Sequence, residues 1–317
     1  MTADVQPGAS RDRSTLINLG PGFTSWRVYV SRYMAPVTRS LLTAQDTLLQ
    51  TPETQAEIFE FVFEDTLLAA SFVTNIALAG VTILFIVAMA RGVTDPRTKL
   101  IVVATMLISV VSISSYTGLA AGLTLSFIEL PAGHPRAGEE VLTMWGRYLT
   151  WTFSTPFILI VLGMIAGSNV TKILTTCAFT IAMCLTGLAA ALTTSSYLMR
   201  WWWFVLSTTF FLVIVYVILV DWTAEARRTG TVDLFNTLKV LTVVSWFGYP
   251  ILWALGVEGF ALLDVAITSW GYSVLDVVSK YIVTVLVVTY VVKEPETITA
   301  SSDYGSTLRD VTAPADD

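Results

Sequence analysis

The chain has 317 residues, 54% of them hydrophobic and only 13% charged, with a mean hydropathy of +0.69. Soluble globular domains carry about 25% charged residues, so most of this chain belongs in lipid. The net charge of −6 argues against nucleic acid as a partner.

Residues 1–65 form a segment ahead of the first long apolar run. They lack the short apolar core behind a basic start that marks a signal peptide. "WRVYVSRYMAPVTRSLL" has the pattern of a short amphipathic helix lying on a membrane surface. "IFEFVF" is expected to form another short helix, capping the outer face of the membrane-embedded part.

A bilayer core needs about 20 apolar residues in a helix. Seven segments qualify: 66–90, 99–127, 145–166, 172–196, 201–222, 236–257 and 265–292. Connectors such as "ARGVTDPRTK" and "GSNVTK" are short, which forces successive helices to pack antiparallel in one bundle. The expected fold is therefore an all-α membrane protein, a seven-helix bundle over residues 66–292. Short-loop Lys and Arg set its orientation. Arg91, Arg97, Lys99, Lys172, Arg227, Arg228 and Lys293 lie at one end, against only Arg136 and Arg200 at the other. The basic end is expected to be cytoplasmic, with the N-terminus outside and residues 293–317 a Ser/Thr/Asp-rich, disordered cytoplasmic tail. "NVT" at 169–171 matches a glycosylation sequon but falls in a connector expected inside the cell.

Cys177 and Cys184 are seven residues apart in one apolar span. Their backbones are about 10 Å apart along a helix, too far for a disulfide. With the single His134 in a Pro/Gly-rich loop, they cannot build a structural zinc site. There is no phosphate loop, dinucleotide fingerprint or nucleophile elbow.

Three ionisable residues lie deep inside the spans: Arg147, Asp276 and Lys280. Such residues are costly in lipid and mark functional sites. Lys280 is about 20 Å of helix from either end of its run, too far to snorkel to the headgroups. Asp276 and Lys280 share a helix face at i, i+4, so a purely structural ion pair is one reading. Desolvation offsets most of the attraction in such a pair, and Arg147 would remain unexplained. The other reading is a covalent anchor, because a desolvated lysine amine forms a Schiff base with an aldehyde.

A long apolar aldehyde needs a slot lined by flat side chains. Trp151 in the third span offers one wall. Trp246, Tyr249 and Trp253 form a stripe in the sixth, where Pro250 permits a kink. Such a stripe is ordinarily packing; facing a mid-membrane lysine it reads as a pocket. The pocket's charges then sum to an excess of one positive, costly at low dielectric. Thr150 and Ser154 continue the face of Arg147 where a proton pump would place an acceptor carboxylate. Val161 stands where a proton donor would be useful. Hydroxyls beside two cations make a site for a small anion, although either hydroxyl alone is expected to bond back to its own helix.

These residues resemble the microbial rhodopsins, and within them the halorhodopsins, light-driven inward chloride pumps of haloarchaea. The motifs are "MWGRYLTWTFSTP" (144–156), "GLAAALTTSS" (187–196), "WFGYPILWALGVEG" (246–259) and "SWGYSVLDVVSK" (269–280). The resemblance spans residues 60–293. It implies all-trans retinal bound as a protonated Schiff base to Lys280, with Asp276 as counterion. It implies a retinal pocket of Trp151, Met183, Gly187, Phe204, Trp246, Tyr249 and Trp253. Chloride or another halide would be held by Thr150, Ser154 and Arg147. Lys239 and Thr242 match positions tied to anion release, and Glu258 one near the entry route. Val161 stands where alanine is usual in the family, Thr180 where relatives often carry aspartate, and Phe204 where many carry tryptophan or tyrosine. A homotrimer in the plasma membrane is also implied.

Two other functions share this pocket, a sensor signalling to a membrane transducer and an outward proton pump. Sensory relatives generally place aspartate at the Thr150 position, and a proton pump needs the carboxylates missing from the third span. A Schiff-base enzyme would need a further general acid or base beside Lys280, and Asp276 stands alone there.

Overall fold

The computed structural model describes residues 54–294. The expected amphipathic helix within residues 26–42 and the tail beyond 294 lie outside the described residues. A short helix, α1 (Gln55–Glu64), precedes seven rods: α2 (Thr66–Met89), α3 (Pro96–Ala120), α4 (Gly146–Ala166), α5 (Val170–Leu192), α6 (Tyr197–Thr229), α7 (Val232–Leu255) and α8 (Val265–Lys293). Each of the seven is long and apolar enough to cross a membrane.

Local chemistry sets where they start. Thr54 and Glu57 form a capping box on α1. Asp65, Asp95, Asn169, Ser196 and Asp264 each accept backbone N–H bonds at the start of α2, α3, α5, α6 and α8, satisfying donors that a helix start leaves free. Asn169 of the sequon is thus a helix cap. Gly167, at φ 74°, ends α4 in the left-handed conformation, which glycine adopts without a Cβ clash.

The second span is shorter than expected. Helix stops at Ala120, and Ser126–Glu129 (β1) pairs antiparallel with Glu140–Thr143 (β2), Phe127 opposite Leu142. The strand segment is as apolar as a helix end, so hydropathy alone runs the two together. The fifth span is longer than expected, because α6 continues past Trp222 to Thr229 after a π-helical stretch, Val217–Trp222. A second π stretch, Val277–Ile282, interrupts α8 at Lys280; such bulges recur at functional sites.

The largest buried cluster joins α2–α8 around Ile158, Leu162, Trp222 and Val287. A second cluster, including Val62, Phe72, Tyr116 and Leu142, closes the hairpin end under α1. Large apolar side chains such as Leu84, Leu198 and Val244 remain exposed on the outside of the rods, as lipid requires.

Candidate functional site

Asp276 is where three rods meet. Lys280 Nζ donates to its Oδ2 at 2.8 Å, both side chains being 1% exposed. Tyr116 of α3 donates its hydroxyl to the same oxygen at 2.6 Å, and Tyr249 of α7 donates to Oδ1 at 2.5 Å. Tyr249 and Ser279 hydroxyls are also 3.0 Å apart. The i, i+4 pair expected from the sequence is formed, but within a network that ties the carboxylate in place.

Arg147 reaches the same network from α4. Its Nη1 donates to Tyr116 Oη at 3.0 Å and its Nη2 to Ser269 Oγ at 2.6 Å. Its guanidinium lies 5.4–5.5 Å from the rings of Phe72, Tyr116 and Tyr272. Among the described residues no carboxylate lies within 4 Å of it. Two buried cations therefore share one buried carboxylate.

Thr150 and Ser154 are buried on the same rod. Thr150 donates to its own helix at Gly146 O, 3.0 Å away, as a helical threonine does. Ser154 Oγ has no partner among the described residues. Val161 is 2% exposed inside the apolar core, so the position holds no proton.

An apolar cavity runs between α4, α5, α6, α7 and α8. All seven residues expected to line a pocket do so: Trp151, Met183, Gly187, Phe204, Trp246, Tyr249 and Trp253, with Lys280 in the wall. Phe204 stacks on Trp253 with centroids 4.5 Å apart, and Trp151 meets Tyr249 edge-on at 5.2 Å. Tyr148, Thr155, Cys184, Ser207 and Tyr272 also line it. Thr155 and Thr180 hydroxyls lie 3.0 Å apart, a neutral pair. Sequence reasoning missed Tyr116, Ser269 and these wall residues. The one available signal was a polar atom within an apolar span.

Lys239, Thr242 and Glu258 lie away from the cavity wall. Lys239 Nζ donates to Thr223 Oγ1 at 3.0 Å and Asn236 Oδ1 at 2.7 Å. Thr242 is fully buried with an unpaired hydroxyl among the described residues. Glu258, in the α7–α8 loop, is 4% exposed, and burial pushes its carboxyl above the usual range.

Arg200, read from the sequence as a loop cation, is instead 1% exposed. Its guanidinium donates to the carbonyls of Ala191, Thr193 and Glu258 at 2.9–3.2 Å. It closes the end of α5, whose last carbonyls have no helical partner, and binds the α7–α8 loop to α6.

Comparison with known proteins agrees with this geometry. The model of the family described as bacteriorhodopsin-like protein matches residues 66–294. Halorhodopsin of Halobacterium sp. (strain SG1) is 59% identical over 265 residues, covering 83% of this chain and 93% of that one. Halorhodopsin of Natronomonas pharaonis is 54% identical over 278 residues, covering 84% and 94%. A solved structure described as halorhodopsin, a light-driven chloride pump, superposes with a TM-score of 0.73 at 50% identity, covering 74% of this chain and 99% of that one. The motifs around Arg147, Trp246 and Lys280, the seven rods and these relatives converge on one conclusion: the chain is a multi-pass membrane protein of the bacteriorhodopsin-like family and belongs, within it, to the halorhodopsins.

Proposed function

We propose that this chain is a light-driven inward chloride pump, with all-trans retinal held as a protonated Schiff base on Lys280. The cavity supports the chromophore: its walls are apolar and aromatic, and a lysine amine lies in them. The observation that carries the choice of ion is the uncompensated charge. Lys280 and Arg147 are cationic, Asp276 is the one carboxylate in their network, and Ser154 offers an unpaired hydroxyl on the face of Arg147. A unit anion about 4 Å from a cation gains about 4 kcal/mol at an effective dielectric of 20. Two cations opposed by one carboxylate leave a net attraction for it.

When bound, retinal supplies the light-driven isomerisation that redirects the N–H at Lys280. The chain's own residues do the rest. Tyr116 and Tyr249 fix the Asp276 carboxylate, which keeps the nitrogen protonated. Arg147, Thr150 and Ser154 hold chloride on the hairpin side, Thr150 by turning its hydroxyl from Gly146 O to the anion. Release from these residues would require that chloride bind the resting and the light-driven states unequally, since only then is a shift productive. Thr242 and Lys239 pass it out at the far end, and Glu258 lines the way in. Val161, apolar and buried, denies the alternative route through a proton donor.

The hairpin end is extracellular in this reading, because the basic connectors and Lys293 cluster at the other end. Residues 1–65 are an extracellular segment, 66–292 the retinal-binding domain and 293–317 a cytoplasmic tail. Three copies assemble as a homotrimer. The test is light-driven current in vesicles. Current is expected with chloride and lost when an impermeant anion replaces it. Persistent acidification without chloride would overturn the reading in favour of a proton pump.

A further inference from the structure

Arg147 sits in the first turn of α4 on a long side chain with many rotamers. A guanidinium on such a stem stays in one place only if its acceptors do. Four of its five N–H groups are engaged among the described residues. Nε reaches Met144 Sδ at 3.5 Å, and Nη1 donates to Tyr116 Oη at 3.0 Å. Nη2 serves Ser269 Oγ at 2.6 Å and Ser269 O at 3.3 Å. The rings of Phe72, Tyr116 and Tyr272 flank the group. One N–H, on Nη1, is left over for an anion.

Each of the two hydroxyls that accept from Arg147 has one proton to give, and each gives it elsewhere. Tyr116 donates to Asp276 Oδ2. Ser269 Oγ lies 2.6 Å from Ser71 Oγ of α2, and the next bond fixes the direction of this one. Ser71 Oγ lies 2.7 Å from Leu68 O. A carbonyl only accepts, so the single proton of Ser71 is spent there. Ser269 therefore donates to Ser71, and its lone pairs are left to Arg147. The result is a one-way chain across three rods, from Arg147 through Ser269 and Ser71 to Leu68 O. Ser71 and Ser269 are fully buried, where an unmet hydroxyl is costly. The backbone at Ser71 is pinned as well, its carbonyl accepting from Asn75 Nδ2 at 2.9 Å and Ser273 Oγ at 3.3 Å. Small hydroxyl residues also tie membrane helices together, which accounts for serines where α2 meets α8. It does not account for a chain that ends on the cation of a third rod, or for its single direction. Without the Ser71 hydroxyl, the Ser269 proton loses its acceptor. A helical serine then turns to the carbonyl four residues back, here Val265 O, and its lone pairs leave Arg147.

We propose that Ser71, which makes no hydrogen bond to Arg147 or Asp276 among the described residues, is a positioning residue for chloride binding: it orients the Ser269 hydroxyl that holds Arg147 in place. The inference rests on the chloride-pump reading. The test is chloride titration of the pigment's absorbance in the dark, on S71A, S269A, the double variant and S273A. S71A and S269A are each expected to raise the dark chloride Kd roughly tenfold, the cost of one hydrogen bond to a charged group. The double variant is expected to match S269A alone, because Ser71 acts only through Ser269. S273A removes another hydroxyl from the same α2–α8 contact and is expected to leave the Kd unmoved. An unchanged Kd in S71A overturns the proposal. So does a double variant in which the two losses multiply, which makes the serines independent. An S273A loss as large as that of S71A also overturns it, by assigning the effect to packing. A wild-type pigment whose absorbance ignores chloride instead overturns the underlying reading.

Discussion

Ser154 and Thr150 differ in a way that their spacing hides. Thr150 already donates to Gly146 O, whereas Ser154 has no partner among the described residues. In the proposed anion site Ser154 would therefore give its hydrogen bond without first breaking another. S154A is expected to raise the dark chloride Kd about tenfold, since a hydrogen bond to a charged group contributes about 1.5 kcal/mol or more. Halide titration of the pigment's absorbance checks this. An unchanged Kd would remove Ser154 from the site. Lys280 and Asp276 were legible in the sequence because charges are so rare in lipid that each one stands out. Tyr116 and Ser269 were not, because one polar atom on an apolar helix faces lipid, neighbour or cavity according to how the helix is turned.

At the scale of elements, the α7–α8 loop is held to the start of α6 by Arg200, which donates to Glu258 O but makes no ion pair with the Glu258 carboxylate. Burial favours the neutral acid there. By linkage, a folded pKa above the unfolded one means a proton is taken up on folding. That contribution is complete below the unfolded pKa and is lost as pH rises through the folded one. Wild type is therefore expected to lose apparent melting temperature as pH rises from the ordinary glutamate range, about 4, through the raised folded value. E258Q, neutral throughout, should show a smaller loss. Equal loss in both proteins would show that Glu258 does not set it. Element boundaries were less legible than element existence. The second span ran on into β1, because hydropathy does not distinguish an apolar strand from an apolar helix end. The buried Arg200 looked like a loop residue because its partners are backbone carbonyls, which carry no sequence signal.

For the whole molecule, the proposed anion between the cations of α4 and α8 would tie the rods together. Anything that binds only the folded state stabilises it, by about 2.7 kcal/mol at a hundredfold excess over Kd. Replacing chloride with a non-binding anion is thus expected to lower the apparent melting temperature of the pigment, and S154A should shrink the difference. A chloride-independent melting temperature in the wild type would argue against a resident anion.

Length and composition alone determined the seven spans, because a bilayer demands about 20 apolar residues for each crossing. The lysine, its aspartate and the aromatic stripe were equally open to reading, because their chemistry is costly or conspicuous in lipid. Only the tertiary structure decided which hydroxyls are spent and which are free, and that Arg147 reaches Asp276 through Tyr116. The physical reason is that a side chain's partner depends on which helix faces meet and at what depth. Both are set by packing between segments far apart in the chain, as where Ser71 meets Ser269, 198 positions away, with their hydroxyls 2.6 Å apart.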